Sequence, residues 1–332
     1  MAGNSLRCHW RHLVGGPAAR SSHSVTALGS QIFVFGGEDK PRNAFDASLY
    51  SLGSLGAWKT LPPAPTGALL GHGAAALDGR LFVFGGRTGG PNDFGGSGAS
   101  GETGNLAIFD EKNEAWLQQS SDVEPWPEPR SFHAMCADDK SIYMFGGCGA
   151  SGRLNDLWEL DVVSGNWHCL HSGGAGAPPP RGGASLVTGP DRLVLIFGFD
   201  GTQRGDLAIF DLRKQSWELL PQEAQSGQVP SPRSVFCAAE LRCSALPPTA
   251  LIFGGEKTAS DLGHAGAGTF NNDLFALDTA ELIWSKLEPG PGPGSRGWAD
   301  LACPAGEARA VLFGGLDDSN TRLGDAWELV FE

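Results

Sequence analysis

One short loop concentrates side chains that can bind a divalent metal ion. Within nine residues of Gly-flanked sequence it carries Glu256, Asp261 and His264. Carboxylate oxygens and an imidazole nitrogen suit a cation that prefers O and N ligands. One imidazole with two carboxylates would leave positions open for a substrate on an octahedral, Fe(II)-like ion. Such residues are also common in a loop that is merely solvated, so the spacing alone leaves both interpretations open.

Arginines form the second group of side chains that could bind a ligand. Arg87 and Arg153 each follow a glycine pair and do not recur at matching places elsewhere, which favours a role at a unique site. A guanidinium presents parallel N–H donors that match the edge of an anion such as sulfate. Five other arginines recur just before apolar strands, and that recurrence favours a scaffold role in which they bond turn carbonyls or carboxylates. These are Arg20, Arg130, Arg181, Arg233 and Arg296.

An internal repeat supplies the elements that must position these residues. An apolar strand ending in a glycine pair recurs six times, as IFVFGG (32–37), LFVFGG (81–86), IYMFGG (142–147), VLIFGF (194–199), LIFGG (251–255) and VLFGG (311–315). The first glycines, with Gly198 taken as the fourth, are 49 to 61 residues apart, close to the ~50-residue kelch period. Each unit adds an apolar strand before, and an acidic and a Trp-bearing strand after. The sequence therefore predicts an all-β, six-bladed kelch β-propeller that forms a single domain over 1–332.

The last unit lacks its Trp-bearing strand, and the N-terminal segment RCHWRHL supplies one around Trp10. We therefore expect the N-terminal strand to complete the sixth blade and close the ring, which protects open sheet edges. Strand direction alternates within a blade, so the loops after the glycine pairs emerge on the same face as the turns that enter each blade. The mouth on this face is predicted to gather Glu38, Arg87, Arg153, Glu256, Asp261, His264 and Trp298.

Composition excludes several classes of partner and location. The net charge of −13 argues against a nucleic-acid backbone or an anionic membrane surface as the main partner. The first twenty residues lack the apolar region of a signal peptide, and no apolar run reaches the ~18 residues of a membrane span. The seven cysteines show no C-x-x-C spacing and indicate reduced thiols in a cytoplasmic compartment.

The chain resembles the kelch specifier proteins of glucosinolate breakdown, which comprise nitrile-specifier, epithiospecifier and thiocyanate-forming proteins. The resemblance covers all six blades and is sharpest from 253 to 287 and at the turn that carries Trp298. Shared irregularities strengthen it, because the second blade lacks its introductory arginine and the fourth ends in Gly198-Phe199. Further matching motifs are RSSH (20–23), FGGE (35–38), FGGR (84–87), RSFHAM (130–135), RGGAS (181–185) and RSVF (233–236).

This resemblance implies an Fe(II)-dependent, lyase-type activity on the aglycone that a thioglucosidase releases from a glucosinolate. The aglycone is a thiohydroximate that carries an O-sulfate, and a specifier directs its breakdown to a nitrile or a related product. The resemblance assigns the iron to Glu256, Asp261 and His264. It assigns the sulfate to Arg87 and Arg153, and it places Trp298 along the pocket. The thioglucosidase is an expected protein partner.

One departure from the family pattern leaves alternatives open. The family spaces its ligands as E-x3-D-x3-H, whereas this loop reads E-x4-D-x2-H, with Ser260 at the family's Asp position. Either the loop bulges to bring Asp261 inward or Ser260 marks a lost ligand. Because many propellers present their loops to proteins without chemistry, the alternative function is a non-catalytic protein-protein interaction module.

Overall fold

The computed structural model describes residues 6–53, 56–89, 101–119, 124–243 and 247–332. Within these ranges the chain is all-β, with six blade sheets, two small two-stranded sheets and two short 3₁₀ turns, Gln222–Ala224 and Gly263–Ala265. The innermost strands contact one another in sequence around the ring, and the innermost strand of blade 6 contacts that of blade 1. The predicted six-bladed propeller is confirmed. The described residues include no helix with the length and apolarity that a membrane span needs.

Each blade has four main strands, ordered from the central channel outwards. Blade 1 contains Ser24–Leu28, Gln31–Phe35, Leu49–Leu52 and Trp58–Leu61. Blade 2 contains Gly73–Leu77, Arg80–Phe84, Leu106–Asp110 and Ala115–Gln119. Blade 3 contains Ala134–Ala137, Ser141–Gly149, Gly152–Asp161 and Asn166–His171.

The other three blades follow the same order. Blade 4 contains Ser185–Gly189, Arg192–Phe199, Gln203–Asp211 and Ser216–Leu220. Blade 5 contains Cys237–Leu241, Thr249–Phe253, Leu274–Asp278 and Ile283–Leu287, with the parallel strand Ser226–Gly227 on its outer edge. Blade 6 contains Asp300–Ala302, Arg309–Leu316, Arg322–Phe331 and Cys8–Leu13. Two small hairpins, Glu38–Lys40 with Asn43–Ala44 and Glu256–Thr258 with Thr269–Phe270, stand at the mouth.

The second strand of each blade explains why the ring holds together. Gln31–Phe35 is buried from Ile32 onward, and Thr249–Phe253 is buried throughout. A strand whose two faces are both covered has no polar alternation, so it appears in sequence as a continuous apolar run. Each face packs on a different neighbouring blade, and the core is therefore distributed between the blades.

The N-terminal strand closes the ring, as the missing Trp strand predicted. Cys8–Leu13 pairs antiparallel with Arg322–Phe331, and Trp10 lies opposite Leu329. The Trp10 side chain is buried and meets the edge of Phe253 in blade 5, with ring centroids 5.4 Å apart. Closure thus joins the two ends of the described chain through a six-residue ladder and an interblade aromatic contact.

The five recurring arginines are scaffold, as expected from their recurrence. All five are buried, and each donates to the main-chain carbonyl at the end of its blade's second strand. Each also pairs with a carboxylate that lies just before the third strand or in its first half. The pairs are Arg20–Asp46, Arg130–Asp156, Arg181–Asp206, Arg233–Asp273 and Arg296–Asp325.

Blade 4 departs from the predicted register by one residue. Gly198 was taken as the first glycine of the pair, but the structure places Phe197 there, in the left-handed region at φ 53°. Gly198, at φ 107°, matches the second glycine of the other blades, and its N–H donates to the carbonyl of Arg233 as theirs do to the corresponding position. Phe197 offsets the strain of its backbone by stacking on Trp284 at 5.6 Å, with the ring fully buried.

The mouth is bounded by a closed circuit of main-chain hydrogen bonds. One residue per blade, at the turn into its first strand, has φ between 46° and 60° and donates its N–H to the carbonyl of the equivalent residue in the preceding blade. The six bonds are 2.6 to 3.0 Å long and return to their starting point. The left-handed backbone is the conformation that aims each N–H along this circuit. The mouth ring, as we call these residues, is Ser22, Gly71, Phe132, Gly183, Val235 and Trp298.

Candidate functional site

A cavity of about 350 Å³ lies at the mouth where the loops between second and third strands emerge. The mouth ring forms part of its floor, and those loops form its walls. It brings together residues from all six blades that are far apart in sequence. The lining is Arg42, Arg87, Ser131, Phe132, Cys148, Arg153, Gly182, Gly183, Phe199, Ser234, Val235, Glu256, Ala259, Ser260, Gly263, His264 and Trp298.

Three aromatic rings meet on one side of this cavity. The Trp298 ring is nearly perpendicular to those of Phe132 and His264, with centroids 5.4 Å and 4.7 Å apart, and the centroids of Phe132 and His264 are 5.4 Å apart. Perpendicular contacts of this kind are favourable between aromatic quadrupoles. The mouth ring supplies two of the rings from blades 3 and 6, while the 3₁₀ turn of blade 5 supplies the imidazole. The cluster therefore fixes where the imidazole lies.

Arg87 and Arg153 both line the cavity, but their surroundings differ. The Arg87 guanidinium donates to Oε1 of Glu102 at 2.6 Å, and the same oxygen accepts from Ser131. The Arg153 side chain is exposed and lies over the Phe199 ring at 4.9 Å, with no ion pair to a carboxylate among the described residues. Arg153 is consequently the guanidinium with donors available to an anionic ligand.

Glu256 and His264 bring a carboxyl and an imidazole to the same cavity. Glu256 is buried, and its Oε2 accepts from Gln203 Nε2 at 3.1 Å. Burial raises the pKa of Glu256 above its ordinary value, against the lowering influence of Gln203 and His264. His264 Nε2 lies 3.1 Å from Oε2 of the buried Glu38.

Asp261 lies apart from this group. Its side chain is exposed and does not line the cavity, whereas Ser260, one residue earlier, does. Ser260 Oγ accepts from the main-chain N–H of Leu262 across a turn, and the side chain of the intervening Asp261 stays exposed to solvent. Across the described residues no three His, Cys, Asp or Glu side chains come close enough to hold a metal ion. Glu256 and His264 are suitable donors for an O/N-preferring ion, Asp261 does not join them, and Fe(II) binding stays a prediction.

Several residues of the cavity were not predicted from the sequence. Phe132 occupies the position in blade 3 that Trp298 occupies in blade 6, two residues after the recurring arginine, so the repeat register could have identified it. Phe199 takes its place through the displaced register of blade 4. Glu102 and Arg42 come from loops that carry no repeat signal, and nothing in the sequence connected Glu38 specifically with His264.

Comparison with known proteins gives matches over nearly the whole chain. A family described as the KLHDC2/KLHL20/DRC7 kelch-repeats domain matches residues 93–255. The N-(sulfonatooxy)prop-2-enimidothioate sulfolyase of Thlaspi arvense is 30% identical over an alignment that covers 94% of this chain and 92% of that protein. The F-box/kelch-repeat protein At1g51550 of Arabidopsis thaliana is 26% identical, covering 91% of this chain and 67% of that protein. The solved structure of YjhT superposes with a TM-score of 0.69 at 14% identity over 95% of both chains, a likeness of fold alone.

Proposed function

The chain belongs to the kelch specifier protein family, and on that premise we propose that its cavity binds a thiohydroximate O-sulfate and directs its breakdown to a nitrile or a related product. One observation carries the proposal. Arg87, Arg153 and Trp298, which stand in three different blades, line a single cavity of about 350 Å³. The related sulfolyase is named for an N-sulfonatooxy imidothioate, a compound of this class.

The sulfate end of the substrate is assigned to Arg153, with Arg87 beside it. Arg153 is exposed within the lining and keeps its guanidinium plane on Phe199, so its outward N–H donors can take two sulfate oxygens together. Arg87 lines the same cavity, with its guanidinium oriented by the ion pair with Glu102. Sulfate is the group that leaves, so charge develops there as the reaction proceeds, and guanidiniums stabilise it.

The remainder of the substrate would contact the aromatic side of the cavity. Its organic side chain packs on Trp298 and Phe132, and its sulfur lies toward Glu256 and His264. For the thiolate form, the N–O bond breaks and its electron pair leaves on sulfate. The C–S pair becomes the third C–N bond. The products are a nitrile, sulfate and neutral sulfur, so atoms and electrons balance without another oxidant.

Fe(II) enters this proposal through the family resemblance. Glu256 and His264 are the residues that would hold it, and Asp261 contributes only if its loop rearranges. When bound, the ion would supply a Lewis acid for the thiolate sulfur. The binding of sulfate by Arg153 and the packing on Trp298 do not depend on it.

The direct test combines a glucosinolate and a thioglucosidase with the full chain, purified anaerobically and assayed with and without added Fe(II). Nitrile formed above the level without the chain supports the proposal. If only the spontaneous isothiocyanate forms in both conditions, the activity is excluded for that substrate. A series of glucosinolates with aliphatic and aromatic side chains extends the test to the aromatic wall.

A second candidate function is a protein-protein interaction module. The match to the F-box/kelch-repeat protein favours it, as does Leu262, which is 74% exposed on the loop that borders the cavity. A thioglucosidase is the partner that would suit both the specifier function and the interaction function, because the aglycone that it releases is unstable. Size-exclusion chromatography of the mixed proteins tests this, with a Leu262→Ser variant as the matched control for contact through that loop.

A further inference from the structure

One interaction of the cavity joins two blades that are distant in sequence. Glu38 stands after the glycine pair of blade 1, and His264 stands in the loop of blade 5, with Oε2 and Nε2 3.1 Å apart. Both oxygens of Glu38 accept further hydrogen bonds, from two hydroxyls, a guanidinium and a main-chain N–H, which is the pattern of an ionised carboxylate. An ionised carboxylate only accepts hydrogen bonds, so Nε2 must carry the proton.

Glu38 is held as a fixed acceptor. Its side chain is 2% exposed, and Oε1 accepts from the hydroxyls of Ser21 and Ser22, both at 3.1 Å, and from Arg322 at 3.3 Å. Oε2 accepts from the main-chain N–H of Arg42 at 2.6 Å, beside its contact with the imidazole. With both oxygens engaged on several sides, the carboxylate cannot rotate away without breaking these bonds.

The His264 ring is confined on its other sides as well. Trp298 and Phe132 pack against it, and the 3₁₀ turn Gly263–Ala265 fixes its main chain. Nδ1 has no hydrogen-bond partner among the described residues, and it is not fully buried. With the proton on Nε2, the only lone pair of the ring is on Nδ1, on a residue that lines the cavity.

We infer that Glu38 is a positioning residue for His264, which it holds as the Nε2–H tautomer so that Nδ1 is the electron-pair donor offered to the substrate. The donor is needed whether it takes the proton of the substrate thiol or holds a metal ion, because both require an unprotonated nitrogen. A carboxylate on the opposite ring nitrogen fixes the tautomer and raises the basicity of the free one. The assignment of a substrate to Nδ1 rests on the proposed function. The assignment of the tautomer does not.

The tautomer can be read directly from ¹H–¹⁵N long-range spectra of the full chain, recorded at about pH 8, above the ordinary imidazole pKa. His264 is assigned by the signals lost in His264→Asn. We expect a single Nε2–H form in the wild type. The Glu38→Gln variant keeps the shape but removes the charge, and it should give a mixture of tautomers. Asp261→Asn, an exposed change in the same loop, is the matched control and should leave the His264 signals unchanged.

Turnover gives the second measurement. Glu38→Gln should lower kcat by roughly 10- to 100-fold with KM within about twofold, and Glu38→Asp should restore part of the loss because it keeps the charge. An Nδ1–H form in the wild type, or unchanged kcat in folded Glu38→Gln, would overturn the inference. If Glu38→Gln does not fold, the wild-type spectrum decides alone. A fixed Nε2–H tautomer in a chain without sulfate-eliminating activity would refute the proposed function and leave the positioning role standing.

Discussion

Two arginines of this chain should respond in opposite ways to the same replacement by lysine. Arg181 is a scaffold residue, fully buried in blade 4, whereas Arg153 is exposed at the cavity. Lysine keeps the positive charge at either place but removes the planar fork of donors. The pair therefore separates structural from functional use of the same chemical group.

The expected cost at Arg181 follows from its contacts. The guanidinium makes four hydrogen bonds, one to the carbonyl of Pro179, one to that of Phe197 and two to the carboxylate of Asp206. A single ammonium cannot reach both carbonyls and span the carboxylate, so at least one or two buried acceptors lose their donor at about 1–3 kcal/mol each. We expect a loss of about 2–4 kcal/mol, or a fall of about 1 M in the urea midpoint.

Arg153→Lys should change the free energy of unfolding by no more than about 0.5 kcal/mol, because its cation can remain over Phe199 and no carboxylate of the described residues pairs with it. A lost hydrogen bond to a charged ligand group is worth about 1.5–3 kcal/mol, which corresponds to a fall in kcat/KM of about 10- to 150-fold.

Urea unfolding and nitrile formation, measured on both variants, check the pair. Unchanged kcat/KM in Arg153→Lys, together with a large loss of stability, would refute the assignment of Arg153 to the ligand. A stable Arg181→Lys would refute the scaffold argument.

Three further predictions test other parts of the molecule. Deleting residues 1 to 15 removes the outer strand of blade 6, so aggregation and a lower thermal midpoint are expected; a monodisperse chain of unchanged midpoint would contradict closure. Glu256→Ala and His264→Ala should abolish Fe(II) bound anaerobically, whereas Asp261→Ala should do so only if the loop bulges inward; wild type that binds no Fe(II) would remove the metal from the proposal. Burial raises the pKa of Asp300 to about 7, so the folded state prefers the protonated acid. The contribution of this group to the free energy of unfolding is therefore fully present below about pH 4 and is lost as pH rises through 7. Asp300→Asn should flatten this dependence in urea midpoints from pH 5 to 8, and an unchanged slope would contradict the assignment.

The repeat made the fold predictable in detail. Six apolar strands, five of them ending in a glycine pair, set the number of blades, and Trp10 pointed to the strand that closes the ring. Recurrence also separated the scaffold arginines from Arg87 and Arg153. These inferences were possible because each blade packs in the same way, so the same pattern of residues recurs six times in the sequence.

The site was predictable only where a residue shares the repeat register or a family motif. The side chain of Asp261 depends on the path of one irregular loop, and the hydrogen bond from Leu262 N–H to Ser260 fixes that path in a way that no period records. The partnership of Glu38 with His264 spans 226 positions and arises from the curvature of the whole ring. The predicted register of blade 4 was wrong for a related reason, because Phe197 adopts a backbone conformation that is typical of glycine.

The closed circuit of the mouth ring has a consequence for how such a protein can diversify. The circuit is made of main-chain atoms alone, so the side chains at its six positions are not required for its hydrogen bonds. Ser22, Phe132, Val235 and Trp298 already show that polar, aromatic and branched residues are accepted there. Gly71 and Gly183 have less freedom, because a Cβ would lie 2.5 Å from the Phe132 ring at Gly71 and 2.8 Å from a Val235 methyl carbon at Gly183. A combinatorial library at the other four positions could therefore remodel the binding floor while the main-chain circuit that carries it remains the same.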